Sequence, residues 1–263
     1  MISKSNIQHV VALRQKKFRQ KYNQFIVEGE KMSEEVLSAL HFPVVYIFAA
    51  ADWLEKNRRV LKSHEKKVIE VTENELKQIS GLTTPNKVLM VLETTLDFRL
   101  PILDYRHEDL KSAIENRKPN FVLYLDGIQD PGNMGTIWRI ADWFGISSLY
   151  CSDTCVDVWN QKVIQSCMGA FLRVPTCEIN FADLQKELPN YRVYGAVLDG
   201  DNIFEIKNDL QNGIIVIGNE GNGISQEILK EIQYKISIPK SGNAESLNAA
   251  VATGIICAVL MNR

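Results

Sequence analysis

The chain has 263 residues, of which 45% are hydrophobic and 24% charged, with a formal net charge of −2. That length and apolar content suit one large domain or two modest ones and exclude wholesale disorder. The near-neutral balance neither demands nor forbids a polyanionic partner, so the local distribution of charge has to decide. Cys151, Cys155, Cys167, Cys177 and Cys257 form no CxxC pair, giving no support to a zinc ribbon or a dithiol motif; buried free thiols in a reducing cytoplasm are expected. The start of the chain has no apolar signal-peptide core. The apolar stretch 249–261 is shorter than the roughly 20 residues a spanning helix needs. A cytoplasmic protein without a membrane partner is therefore the expectation. His9, His41, His64 and His107 are the only histidines. Chemistry in the second half thus has no local histidine base, and no metal is expected there.

In chain order, the first 27 residues contain no Asp or Glu. Arg14, Lys16, Lys17, Arg19 and Lys21 interleave with Phe18, Tyr22 and Phe25. Such a mixture suits phosphate contacts plus base stacking, and it equally suits a solvated amphipathic helix. A short strand, a turn at Gly29 and a helix follow in "NQFIVEGEKMSEEVLSAL". "PVVYIFAA" reads as a strand, "ADWLEKNRRVLKSHEKK" as one charged helix, and "KVIEVT" and "KVLMVLE" as strands. This makes a small α/β domain over 1–95. The charged, proline-containing stretch 96–119 reads as a linker, with a short helix at 108–116.

From Phe121 onward, in a second domain over 120–263, apolar strands alternate with glycine-rich turns and helices. The strands are "FVLYLDGI", "SLYCSD", "YRVYGAVL", "GIIVIGNE" and "YKISIP"; helices are predicted at about 134–144, 157–170, 182–188, 225–232 and 246–261. In the first of these helices Ile137, Ile140, Ala141 and Phe144 form the apolar stripe, stopped by Gly145. Near-continuous apolar strands alternating with helices predict an α/β fold with a parallel sheet covered on both faces.

Ligands of open parallel sheets bind beyond the carboxyl ends of the strands. Here those ends run into "DGIQDPGNMG", "LDGDN", "GNEGNG" and "PKSGNAESLN", rich in glycine, amides and acids. There is no GxGxxG and no GxxxxGK[ST], and the acids are too dispersed for a metal cage. The loops suit a neutral or zwitterionic nucleoside-like molecule better than a triphosphate. Taken singly, Arg139 reads as a solvated helix cation, Asn133 as the cap of its helix, and Glu220 as an acceptor for turn amides.

"NMGTIWRIADWFG", "IVIGNEGNGIS" and "IPKSGNAESLNAAVATGI", within Phe121–Leu260, together resemble the three motifs of the SpoU/TrmH family of RNA ribose 2′-O-methyltransferases. "QKYNQFIVEGEKMSEEVL" resembles, more loosely, that family's amino-terminal substrate-binding extension with its L30e-like fold. The resemblance implies a carboxyl-terminal trefoil knot enclosing S-adenosylmethionine, a homodimer built on the first and last helices of the second domain, and an RNA substrate. Ribosomal RNA is favoured over transfer RNA because of the amino-terminal extension. It implies catalytic roles for Asn133, Arg139, Glu220, Ser246 and Asn248. Cofactor contacts would come from Leu198, Gly200, Gly218, Ile238, Lys240 and Leu247, largely through backbone atoms. Lys240 departs from the family, which usually has an apolar residue there. Under this reading the basic start, Arg14 to Lys21, becomes an RNA contact. The rivals are a transfer-RNA or antibiotic-resistance enzyme of the same family, an RNA-binding protein that keeps the fold without the reaction, and an unrelated small-molecule transferase.

Overall fold

The computed structural model describes residues 2–39, 41–94 and 121–261. The chain forms two compact units, one of Met1–Leu96 with Asp157–Leu172, the other of Asp97–Val156 with Arg173–Arg263. The linker expected at 96–119, with its short helix, lies outside the described residues.

The first unit begins with α1 (Lys4–Ala12) and α2 (Lys16–Tyr22), then β1 (Gln24–Glu28), α3 (Glu30–Ala39), β2 (Val44–Ala49), α4 (Ala51–Lys56) and α5 (Arg58–Leu61). A 3₁₀ stretch (Lys62–Lys67), β3 (Val68–Glu70), α6 (Glu73–Ile79) and β4 (Val88–Glu93) complete its first part. The sheet has the order β1-β4-β2-β3, with β4 antiparallel to both neighbours and β2 parallel to β3. β1 and β4 are nearly continuous apolar runs, and Ile26, Phe48, Leu89 and Val91 lie in one core with Val10, Leu13 and Leu76. The single charged helix expected over 51–67 is broken. Asn57 sits at φ −101°, and its side-chain amide donates to the Trp53 carbonyl at 3.1 Å, competing with helical continuation.

Asp157–Leu172 also belongs to this unit. The helix expected at 157–170 is shorter, α7 (Gln161–Cys167), capped by Asn160 and ended by Met168 in the left-handed region. Trp159 and Phe171 join Phe25 and Phe42 in an aromatic cluster with ring centroids 4.5–5.8 Å apart.

The second unit contains a six-stranded sheet in the order β10-β8-β9-β5-β6-β7, parallel at every junction. Its strands are β5 (Phe121–Leu125), β6 (Leu149–Cys151), β7 (Thr176–Glu178), β8 (Arg192–Asn202), β9 (Gly213–Ile217) and β10 (Tyr234–Ser237). β5 and β9 are buried at every position, as befits central strands covered on both faces. β7, only three residues long, carries no readable period and was not expected. The helices are α8 (Pro131–Phe144), α9 (Phe181–Glu187), α10 (Ile203–Ile206), α11 (Gln226–Leu229) and α12 (Ala249–Met261). α10 was not expected either.

α8 buries Met134, Ile137, Trp138 and Ala141, while the expected Ile140 and Phe144 are only half-buried. Trp138 takes the place foreseen for them because its indole N–H finds the Val174 carbonyl at 2.8 Å. α8 packs against α12, with Ile140 Cδ1 3.6 Å from where a Cβ on Gly254 would stand. β8 runs longer than expected. Tyr234 and Lys235 of β10 align with Tyr194 and Gly195, but Ile236 and Ser237 align with Asp201 and Asn202. The segment 196–200 therefore bulges out of the ladder, carrying Leu198 with it.

Candidate active site at the strand exits

Three of the loops singled out in the sequence meet through one side chain. Asn133 lies in the first turn of α8, and it is not the cap of that helix. Asp130 is the cap, its carboxylate accepting from the Asn133 backbone N–H at 2.8 Å, with Pro131 pre-set at the first helical position. The Asn133 side chain is thereby left for other work. Its Nδ2 donates to Glu220 Oε1 at 2.6 Å, and its Oδ1 accepts from Asn248 Nδ2 at 2.9 Å. A carboxylate acceptor makes the first of these bonds charge-assisted.

Each partner is fixed by its own loop. Asn219, beside Glu220, makes the turn: its Oδ1 accepts from the Gly221 and Asn222 backbone N–H groups at 2.8 and 3.0 Å, and its Nδ2 donates to the Gly127 carbonyl at 2.7 Å. Glu220 is thus relieved of the turn-amide role that the sequence offered as an alternative. Gly218 lies under this turn, where an added Cβ would come within 2.3 Å of the Gly223 backbone. Asp126 Oδ2 holds the far side of the loop by accepting from the Ser225 N–H at 2.7 Å. Asn248 caps α12, its Oδ1 accepting from Ala250 and Val251 at 3.0 and 3.2 Å. That cap is why α12 begins at Ala249 rather than at the expected 246.

The cofactor-contact candidates divide. Gly200 and Ile238 flank the junction of β8 with β10, where Ser237 Oγ donates to the Gly200 carbonyl at 2.7 Å. A Cβ on Gly200 would stand 2.7 Å from Ile236 backbone atoms, so only glycine allows this approach. Leu198 is 76% exposed and Leu247 48%, apolar side chains held in otherwise polar loops. Lys240 and Ser246 are exposed and make no hydrogen bond or ion pair among the described residues. The structure does not tie Ser246 into the Asn248–Asn133–Glu220 chain.

Arg139 is exposed on α8 and has no hydrogen-bond or ion-pair partner among the described residues. Six residues separate it from Asn133, about a third of a turn around the helix. It shares an exposed stripe with Thr136 and with Trp143, whose side chain is 81% exposed.

A cavity elsewhere in the unit is lined by none of these candidates. That cavity, about 620 Å³, lies beyond β5, β6 and β7, lined by Tyr124, Asp126, Asp153, Glu178, Glu227 and Glu231 among others. Near it, the Cys155 thiol donates to the Leu125 carbonyl at 3.2 Å, and its nearness together with burial pushes the Cys151 thiol up. Among the described residues no group of His, Cys, Asp and Glu is gathered to hold a metal.

In the first unit two of the cations expected to meet RNA have partners within the chain. Arg19 is 5% exposed; its guanidinium donates to the Leu13 and Arg14 carbonyls at 2.8 Å and pairs with Asp157 at 2.5 Å. Arg14 is turned to the Ile79 and Ser80 carbonyls at 3.1 and 2.6 Å. The Arg19 guanidinium is consumed inside the unit, whereas Arg14 stays exposed and spends one terminal nitrogen on those carbonyls. Lys16, Lys17 and Lys21 stay exposed, with Lys17 over the Phe18 ring and Lys21 over the Tyr22 ring.

Fold and site together define an open, parallel α/β protein that gathers polar loops beyond the carboxyl ends of its strands, joined to a small mixed-sheet unit. The profile of the SpoU rRNA Methylase family matches residues 120–258, and that of the MRM3-like substrate binding domain matches residues 4–90. The chain belongs to the SpoU rRNA methylase family. It is 35% identical to a TrmH-family protein from Porphyromonas gingivalis, covering 99% of this chain and 98% of that one with a TM-score of 0.81. An AdoMet-bound rRNA methyltransferase from Sinorhizobium meliloti is 25% identical over 99% of this chain and 96% of its own, with a TM-score of 0.83. The 23S rRNA (guanosine(2553)-2′-O)-methyltransferase RlmP of Bacillus subtilis is 29% identical, over 93% of this chain and 91% of its own.

Proposed function

We propose that this protein transfers a methyl group from S-adenosylmethionine to a ribose 2′-hydroxyl of ribosomal RNA. The observation that carries the reading is the hydrogen-bond chain Asn248–Asn133–Glu220, which joins all three family motifs at one place. Family membership and the full-length likeness to RlmP support ribosomal RNA over transfer RNA.

The strand exits fit a sulfonium nucleoside. Leu198 and Leu247 offer apolar surface for an adenine ring, and the glycine backbones at 200 and 218 allow close approach. Backbone groups around Ile238 and Lys240 would complete the pocket. When bound, S-adenosylmethionine supplies a methyl carbon already activated toward nucleophiles. What the chain must add is alignment and charge. Asn133, held by Glu220 and Asn248, fixes the motif loops in register, and Ser246 stands in the same loop to meet substrate. Arg139, exposed and without a partner among the described residues, is the group we assign to the RNA side. Guanidinium groups keep their charge in proteins, so it stabilises the negative charge that grows on the 2′-oxygen as the hydroxyl proton passes to solvent water, the methyl moves to that oxygen and S-adenosylhomocysteine leaves.

Three finer features complete the reading. The carboxyl-terminal segment is threaded as a trefoil knot, for which the close passage of Gly200 by Ile236 and the Asn248–Asn133 bond are the support. Two copies associate through α8 and α12, supported by the exposed Trp143 and Val251. Residues 1–95 serve RNA binding and 120–263 catalysis, joined by 96–119, in a cytoplasmic enzyme.

The deciding experiment maps ribose methylation across total RNA from cells with and without the protein. A single ribosomal 2′-O-methyl mark lost with the protein and restored by purified enzyme is expected. A lost mark on transfer RNA alone would replace ribosomal RNA as the substrate, and an unchanged map would overturn the reading.

A further inference from the structure

With Arg19 buried in its ion pair, the amino-terminal stretch still exposes Arg14, Lys16, Lys17 and Lys21. The first unit has a second basic face, denser along the chain. α5 and the 3₁₀ stretch read RRVLKSHEKK from Arg58 to Lys67, five Arg and Lys residues against the single carboxylate of Glu65. Leu61 is buried and His64 half-buried; the other side chains are exposed. Arg58, Arg59, Lys62, Lys66 and Lys67 have no ion-pair partner among the described residues, whereas neighbouring Lys56 is held by Glu34 at 2.9 Å. In a chain of net charge −2, that local excess of one sign is a field suited to a polyanion.

A second observation sits at the end of the same face. A cavity of about 260 Å³ opens there, walled by Val36, Leu37, Phe42 and Val44 and rimmed by His41, His64 and Lys67. These apolar walls are no more than 6% exposed, a narrow apolar strip beside the imidazole and ammonium groups. An unstacked nucleotide needs ring surface for its base and cations for its phosphates; here the imidazoles of His41 and His64 are the rings on offer and Lys67 the cation, Phe42 being packed in the aromatic cluster. An acidic peptide would meet the same cations but would leave the rings unused.

We propose that the Arg58–Lys67 face is the principal anchor for the RNA backbone, and that the pocket rimmed by His41, His64 and Lys67 receives one unpaired nucleotide. The proposal rests on the reading of the protein as an RNA methyltransferase and names where that RNA is held.

The test uses the full chain and a fluorescein-labelled single-stranded RNA of about 20 nucleotides, titrated at several salt concentrations. Replacing Arg58, Arg59, Lys62 and Lys67 with Ala should weaken binding at least about tenfold and make the log affinity–log salt slope shallower by about 3. Replacing Lys16, Lys17 and Lys21 with Ala should cost less on both measures. S-adenosylmethionine affinity by calorimetry and thermal unfolding should match the wild type. Lys62→Glu with Lys66→Glu, both exposed and clear of the pocket, repeats the test should the fourfold variant fold poorly. For the pocket, His64→Ala should weaken single-stranded RNA several-fold while leaving duplex RNA unchanged. Wild-type affinity and slope in the charge variants, or a greater loss in the amino-terminal lysine variant, would overturn the anchor. Preferential displacement of RNA by a poly-glutamate peptide would assign the face to an acidic protein. Wild-type protein that binds RNA through this face yet methylates none would sink the enzymatic reading and leave the anchor standing.

Discussion

Asn133 has the geometry of a keystone, because one amide accepts from Asn248 and donates to Glu220 while its backbone is held by Asp130. Asn133→Ala should therefore loosen two loops at once. We expect the affinity for S-adenosylmethionine to fall with the rate, as measured by calorimetry and by methyl transfer to RNA. Arg139 should behave differently, having no partner within the described chain to lose. Arg139→Ala is expected to lose roughly 10²-fold or more in turnover with cofactor affinity and thermal stability unchanged; near-normal turnover would remove it from the chemistry. Arg19 belongs to a third kind. Its removal leaves Asp157, 14% exposed, without its cation, so Arg19→Ala should cost about 3 kcal/mol in denaturant unfolding. Its effect on RNA affinity should vanish once the folded fraction is allowed for.

At the scale of elements, the junction of β8 and β10 and the turn after β9 depend on the absence of a side chain. A methyl group at Gly218 would have to displace the Gly223 backbone, and one at Gly200 the backbone of Ile236. Gly218→Ala should destabilise by about 1–3 kcal/mol in thermal or denaturant unfolding and weaken cofactor binding measurably. α6 offers a pH-dependent element. Thr72 and Glu75 form a capping box, and backbone N–H groups of Thr72 and Ile2 hold the Glu75 carboxyl below its usual 4.5. A carboxyl with a depressed folded pKa stabilises fully above its unfolded value and loses that contribution as pH falls through the folded one. Protection factors of amides in the first turn of α6, referred to the intrinsic exchange rate at each pH, should therefore fall as the pH drops below about 4.5, and Glu75→Gln should flatten that profile.

At the scale of the whole molecule, α12 is apolar almost all round, yet Val251 is 51% exposed and Ile255 and Val259 are half-buried. Trp143 on α8 adds an 81% exposed indole. A monomer that left such surface to water would be prone to association. Two copies meeting on these helices would cover it, and Val251→Glu with Trp143→Glu should shift the sedimenting species to a monomer in analytical ultracentrifugation. No helix among the described residues is long and apolar enough to cross a membrane.

The sequence by itself determined the parallel α/β class, because apolar runs such as "FVLYL" and "GIIVI" can be satisfied only between two covered faces. It also held the polar loops at the strand exits, since glycine and amide clusters are local chemistry readable without a fold. Short elements escaped it: three residues of β7 or four of α10 are too few to carry a period. What only the tertiary structure decided was which partner each polar group chose. Asn133 and Glu220 each had an adequate local role, and both were freed from it because Asp130 and Asn219 filled those roles first. Arg14 and Arg19 look in sequence like their lysine neighbours, yet long-range carbonyls and Asp157 claimed their guanidinium groups. A side chain's competing hydrogen bonds differ by little in free energy, so proximity set by the fold, not residue type, selects among them.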